Sequence, residues 1–283
     1  MKKGIVCLLV ASLLILGCAP GDDSVDLVYV EWATEIASTN VVAAVLQEEM
    51  GYDVNLTSVS AAAMWEAVAT GDVDAMVAAW LPTTHQQYLE RTQDRVENLG
   101  PNLEGTRIGL VVPDYVEIES VGDLVDEADR FNNQIIGIDP GAGIMSATEE
   151  AIEVYDLGDD LNLIEGSGAA MTATLSGAIE NNEWVVVTGW TPHWKFARWD
   201  LKYLEDPENV YGGEEFIATI VRQNLSEDMP EVYQFLNNFN WTPEDMEQVM
   251  IWNEETGADP YQNAVRWIEE NRERVQAWIP DNN

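Results

Sequence analysis

Short apolar runs alternate with longer mixed segments along most of this chain. Leu27-Val28-Tyr29-Val30 and Met76-Val77-Ala78 bracket a first unit; Gln134-Ile135-Ile136-Gly137-Ile138 and Val185-Val186-Val187 bracket a second. Inside each unit a helix-like stretch, residues 36–50 or 144–155, is followed by another short apolar run, residues 54–59 or 161–164. Both units therefore predict strand, loop, helix, strand, helix, strand. Such alternation belongs to α/β architecture.

The two units also end alike. Ala79-Trp80-Leu81-Pro82-Thr83-Thr84-His85 closes the first, and Gly189-Trp190-Thr191-Pro192-His193-Trp194 closes the second. An apolar run ending in small–Trp–x–Pro describes a buried strand that stops abruptly and presents an indole at its C-terminal end. In an open α/β sheet that end is where ligands sit. Upstream, Ala62-Ala63-Met64 precedes Trp80 by 16 residues and Ala169-Ala170-Met171 precedes Trp190 by 19, counted from each Met. Shared landmarks in one order point to duplication, or to two lobes of one design. Two tryptophans would then face a common cleft, and indole faces suit cations.

The flanking segments predict how the lobes connect. Thr106-Arg107-Ile108-Gly109-Leu110-Val111-Val112-Pro113 reads as a strand leaving the first unit, and Ser120-Val121-Gly122-Asp123 as a capping box opening a helix to about Arg130. Phe216-Ile217-Ala218-Thr219-Ile220-Val221 reads as a strand returning. The rest is helical in pattern: residues 230–238, a helix capped by Thr242 and running to Trp252, and residues 260–278. Two strand-like crossings predict a hinge, with residues 27–112 and 213–283 forming one lobe and 113–212 the other.

Residues 1–17 lie outside that scheme. Lys2 and Lys3 precede an apolar run, residues 5–16, that suits a secretory leader and is too short for a stable membrane span. Ile15-Leu16-Gly17-Cys18 resembles a lipobox with Cys18 as the lipidated residue, and residues 18–26 read as a polar tether. The chain has two cysteines, Cys7 in the leader and Cys18 at the anchor, so thiol catalysis and cysteine-ligated metal sites are excluded. With two histidines and no G-x-S-x-G, hydrolase and histidine-metal chemistry lack their parts. The charge is extreme, 51 acidic against 13 basic residues, net −38. A surface of that sign rules out nucleic acid as partner. The acids are spread along the chain, as in a solvated shell whose self-repulsion salt screens, and predict an exported protein from a salt-loving organism.

With these landmarks in place, the chain resembles the substrate-binding lipoproteins of glycine betaine/proline betaine ABC importers. The resemblance runs from about Val25 to Trp278. It is carried most specifically by Tyr29-Val30-Glu31-Trp32-Ala33-Thr34-Glu35-Ile36-Ala37-Ser38-Thr39-Asn40, by the two Trp-x-Pro segments, and by Gly137-Ile138-Asp139-Pro140-Gly141-Ala142-Gly143-Ile144-Met145. It implies a two-lobed periplasmic-binding-protein fold of type II-like form, each lobe a βαβ sandwich, with no catalysis and no cofactor or metal. It further implies that Trp32, Trp80 and Trp190 form a prism around a quaternary ammonium, while His85 and the amides of Gly143 and Ile144 hold the ligand's carboxylate. The physics agrees: a trimethylammonium donates no hydrogen bond, so aromatic faces must hold it, and amides at a helix N-terminus attract an anion. The implied partners are a membrane permease and its ATPase, with the protein a monomer outside the cytoplasm serving osmoprotection. Choline- or carnitine-binding relatives are the alternative within that class, and a non-transport lipoprotein is a remoter one. His193 is expected to hold its turn rather than a ligand, and Trp65, Trp241, Trp252, Trp267 and Trp278 to pack in the core.

Overall fold

The computed structural model describes residues 24–280. The expected leader and Cys18 lie outside the described residues. The first unit is β1 (Ser24–Tyr29), α1 (Ala33–Ala44, prolonged by a π-helical turn, Val45–Glu49), β2 (Asp53–Ser58), α2 (Ala61–Thr70) and β3 (Ala75–Leu81). After α3 (Gln86–Thr92) comes the long β4 (Val96–Pro113). The second unit repeats the plan with β5 (Gln134–Ile136), α4 (Gly143–Val154), β6 (Asn162–Ile164), α5 (Gly168–Asn181) and β7 (Val187–Thr191). Short α6 (Lys195–Arg198) and β8 (Leu201–Tyr203) lead to β9 (Glu215–Arg222). The chain ends in α7 (Leu225–Asp228), α8 (Pro230–Asn238), α9 (Pro243–Asn253), α10 (Pro260–Glu270) and α11 (Arg272–Trp278).

The two units share a topology. Strand order β2-β1-β3 in the first is matched by β6-β5-β7 in the second, parallel throughout. In the first lobe antiparallel β9 pairs with β3 and with β4, and in the second lobe β4 pairs antiparallel with β7. β3 is buried at every position, as a strand covered on both faces must be. Helix α1 is buried almost all round, closed in by α9 and α10. That packing encloses even its polar face, where Thr34, Glu35, Ser38 and Thr39 are buried.

β4 is the outward crossing. Its ladder to β9 ends at Thr106 and its ladder to β7 begins at Arg107, ahead of the division expected after residue 112. The return, between Tyr203 and Glu215, is irregular, so the hinge expected as two strands is one strand and one loop. Pro207 and the Gly212-Gly213 pair account for this, since neither sustains a ladder.

Two helical expectations are also corrected. The Ser120 capping box forms, but residues 121–131 make two 3₁₀ turns, Val121–Leu124 and Ala128–Phe131, instead of one helix. Their buried residues stand three apart within each turn, a spacing that a three-residue turn places on one face. The run from Pro260 to Trp278 divides at Asn271, whose side-chain amide donates to the Trp267 carbonyl at 2.9 Å. Among the described residues no helix is long and apolar enough to cross a membrane.

Candidate functional site

Equivalent loops of the two lobes face each other, and the site is built from their ends. β1 runs out at Tyr29, and Trp32 caps the N-terminus of α1. Trp80 stands at the end of β3 and Trp190 near the end of β7, each followed by a cis X-Pro bond, Leu81–Pro82 and Thr191–Pro192. Trp32, Trp80 and Trp190 are buried and line one pocket, together with Thr34, Thr84, Ile108, Ile138 and the start of α4 at Gly143 and Ile144. The sequence thus identifies three indoles that the fold brings together from both lobes.

At the α4 end of this pocket the helix presents N–H donors. Ala142 caps α4 without a side-chain hydrogen bond, and the first turn carries no acidic residue. The N–H groups of Gly143 and Ile144 have no acceptor among the described residues. Helix α1, the counterpart of α4, differs: its first turn contains Glu35, whose carboxylate sits in the favourable field of its own helix N-terminus. One lobe neutralises its helix end internally and the other leaves it open to an anion.

His85, expected at the site, follows Thr84, which lines the pocket, but is not itself among the lining residues; it sits behind Trp32 and Trp80 in the first lobe. It is fully buried, its ring 6.1 Å from that of Trp32 and 5.8 Å from that of Tyr88. Nδ1 accepts the Trp80 backbone N–H at 3.1 Å, which fixes the proton on Nε2. Burial pushes the imidazole down to about 3, so it is neutral over the working range. Nε2 has no hydrogen-bond partner among the described residues. The loop bearing His85 is pinned by Glu215, whose Oε1 accepts the N–H groups of Thr83 and Thr84, each at 2.7 Å, and whose Oε2 accepts the Thr84 hydroxyl.

The lobes are closed upon each other here. The Tyr88 hydroxyl donates to the Gly141 carbonyl at 2.6 Å, and Trp32 Nε1 donates to Asp139 Oδ2 at 3.0 Å. Gly143 is pressed against the Thr84 backbone so closely that a Cβ would lie 2.0 Å from the Thr84 carbonyl oxygen. His193 is also buried; its Nδ1 accepts the Lys195 N–H at 3.1 Å inside the turn that follows Pro192. That bond supports a structural role for His193.

Residues 23–270 match the model of the family described as the substrate binding domain of ABC-type glycine betaine transport system. The chain belongs to this family. It is 51% identical over 154 residues to the glycine betaine/carnitine transport binding protein GbuC of Listeria monocytogenes, a match covering 54% of this chain and 51% of that protein. The matched stretch thus spans about half the length of that curated relative. Solved structures resemble it over nearly their whole length. Lactococcal OpuAC, in its closed form with glycine betaine, is 43% identical with a TM-score of 0.86, covering 91% of this chain and 99% of that one. ProX from Borrelia burgdorferi is 39% identical with a TM-score of 0.88, covering 91% and 97%. A choline-binding ABC-transporter protein, 24% identical with a TM-score of 0.84, shares the fold. The two-lobed periplasmic-binding-protein architecture is common to these relatives and this chain.

Family motifs alone leave several neighbours of the site unnamed. Glu35 is fully buried, accepts Trp80 Nε1–H at 2.7 Å on Oε1, and takes the Thr34 hydroxyl on Oε2. Desolvation raises its carboxyl to about 7, against hydrogen bonds from Thr34, Trp80 and its own amide. Lys195 is equally buried, its Nζ without a hydrogen-bond acceptor among the described residues and 4.3 Å from the Trp190 ring centroid. It does not line the cavity. Among the described residues no group of three or more His, Cys, Asp or Glu is arranged to hold a metal ion.

Proposed function

We propose that this protein captures glycine betaine, or a closely related betaine, outside the cytoplasm and delivers it to the permease and ATPase of an ABC importer. The observation that carries the reading is the pocket walled by Trp32, Trp80 and Trp190 from both lobes, with the N–H donors of Gly143 and Ile144 at one end, unpaired among the described residues. The trimethylammonium would lie among the indoles, each desolvated contact contributing about 2 kcal/mol. The carboxylate would take these donors together with His85 Nε2, and its hydrogen bonds are of the charged kind, ~1.5–3 kcal/mol each. His85 and the α4 amides come from opposite lobes, so the carboxylate bridges them. Bridging supplies the differential affinity for the closed state without which a ligand cannot drive closure. No step of this reading makes or breaks a covalent bond. The lipobox at Cys18 supports attachment to the membrane by a lipid, with the binding domain acting as a monomer.

Choline separates this reading from its nearest alternative. It carries the same cation and no carboxylate, leaving the buried donors unpaired. Titration calorimetry should show betaine binding at least 100-fold tighter than choline, and Trp80→Ala should weaken betaine by at least a factor of 10. Equal affinity for both ligands would favour a choline-type site, and full-strength betaine binding by Trp80→Ala would reject the prism.

A further inference from the structure

Two of the three indoles facing the cavity donate their N–H to a carboxylate: Trp80 to Glu35 at 2.7 Å and Trp32 to Asp139 at 3.0 Å. Satisfaction of a buried N–H does not explain this choice of acceptor. Among the described residues Trp65, Trp190 and Trp241 bury their Nε1 without a hydrogen-bond partner, so the fold tolerates an unpaired indole N–H. A neutral amide or carbonyl would also satisfy one, without the desolvation cost of a buried carboxylate. Glu35 is buried, with its carboxyl raised to about 7, so it is an anion above that pH, and among the described residues no cationic side chain pairs with it.

We propose that Glu35 and Asp139 are positioning residues that make the cavity select for positive charge, by drawing on Trp80 and Trp32 through their indole N–H bonds. Resting on the betaine reading above, it adds a mechanism for preferring a cation over a neutral group of the same shape. An N–H donated to an anion pushes electron density into the ring and deepens the negative potential over its faces, where a cation sits. The carboxylate also attracts that cation directly, across a medium that screens poorly. Asp139 belongs to the second lobe and Trp32 to the first, so this part of the effect exists only when the lobes close. Trp190 is the contrasting wall: its Nε1 is unpaired, and Lys195 places an amine over its ring. The three walls are therefore unequal, with Trp80 and Trp32 the electron-rich pair.

The test compares glycine betaine with 3,3-dimethylbutanoate, which replaces the quaternary nitrogen by carbon and keeps size, shape and carboxylate. Both are titrated by calorimetry, at a pH above 7 where Glu35 is ionised, into the wild type, Glu35→Gln and Asp139→Asn, variants that retain an acceptor oxygen for the indole N–H. The expected result is that each variant loses betaine affinity by about 10-fold while its affinity for the neutral analogue stays level or rises, so that the ratio between the ligands falls. Parallel loss for both ligands would mean the carboxylates only hold the rings in place, and unchanged betaine binding in both variants would remove any role; either result overturns the proposal. Should Glu35→Gln fail to fold, Asp139→Asn carries the same comparison from a partly exposed position. A wild type that binds neither ligand would instead reject the betaine reading itself.

Discussion

Lys195 shows how much of a site a sequence can hide. Trp32, Trp80, Trp190, His85 and Gly143 stand out because rare residue types recur at strand ends and loop starts. Glu35, Asp139 and Glu215 do not: among 51 acidic residues, nothing local distinguishes a buried carboxylate from a solvated one. Lys195 directly follows the second signature, yet only tertiary packing reveals that its ammonium is enclosed and without a hydrogen-bond acceptor. Desolvation lowers it from 10.5 to about 7. Between those values the unfolded chain binds the proton and the folded chain does not, so this residue makes stability rise as pH increases from about 7 towards 10.5. Below pH 7 it is protonated in both states, and the full cost of burying its charge opposes folding. Lys195→Met should therefore stabilise the protein near pH 7, by on the order of a few kcal/mol, and that advantage should shrink towards pH 10. Urea unfolding of both proteins at several pH values, at one salt concentration, measures the difference. A pH-independent gap would show that the amine is not desolvated as described.

At the scale of elements, most of the architecture is legible, since two repeated units with the same strand–helix alternation leave few alternatives. Less legible is where continuous elements break. Residues 96–105 of β4 carry Gly100, Pro101 and Gly105, which read as punctuation, yet register shifts opposite β9 absorb them within one strand. Tertiary pairing overrides local preference there. The first turn of α4 shows the same rule in the functional direction. Gly143 has no positive φ, and alanine suits a helix better than glycine, so local preference alone would replace it. The Thr84 carbonyl forbids that only when the lobes are closed. Gly143→Ala should leave stability within ~1 kcal/mol of the wild type. It should weaken betaine binding at least 100-fold by propping the lobes apart. X-ray scattering should show a radius of gyration that no longer contracts on adding betaine. Normal compaction in this variant would mean the Thr84–Gly143 approach is not needed for closure.

At the scale of the whole molecule, charge separates where the protein functions from what it binds. The formal net charge is −38 and only 13 basic residues are available to offset 51 acids. The ion pairs are mostly at the surface, such as Arg95 with Glu66 at 2.9 Å and Arg266 with Glu270 at 3.1 Å, and each such pair contributes little. Repulsion among the unpaired carboxylates must then be relieved by counterions, over a Debye length of ~10 Å at 0.1 M salt and ~3 Å at 1 M. Folding concentrates those charges, so dilution of salt should destabilise the compact state, lowering the melting temperature by on the order of 10 °C between about 2 M and 0.1 M KCl. Betaine is held differently. Its net charge is zero and both poles meet short-range contacts inside a closed cavity, where bulk screening reaches least. Affinity should accordingly change less than about threefold across the salt range in which the protein stays folded. Calorimetry and thermal scans on the same samples test the two halves independently. A melting temperature indifferent to salt would end the reading of the acidic shell as an adaptation to brine, whereas an affinity that tracks salt steeply would show that the surface field reaches the site.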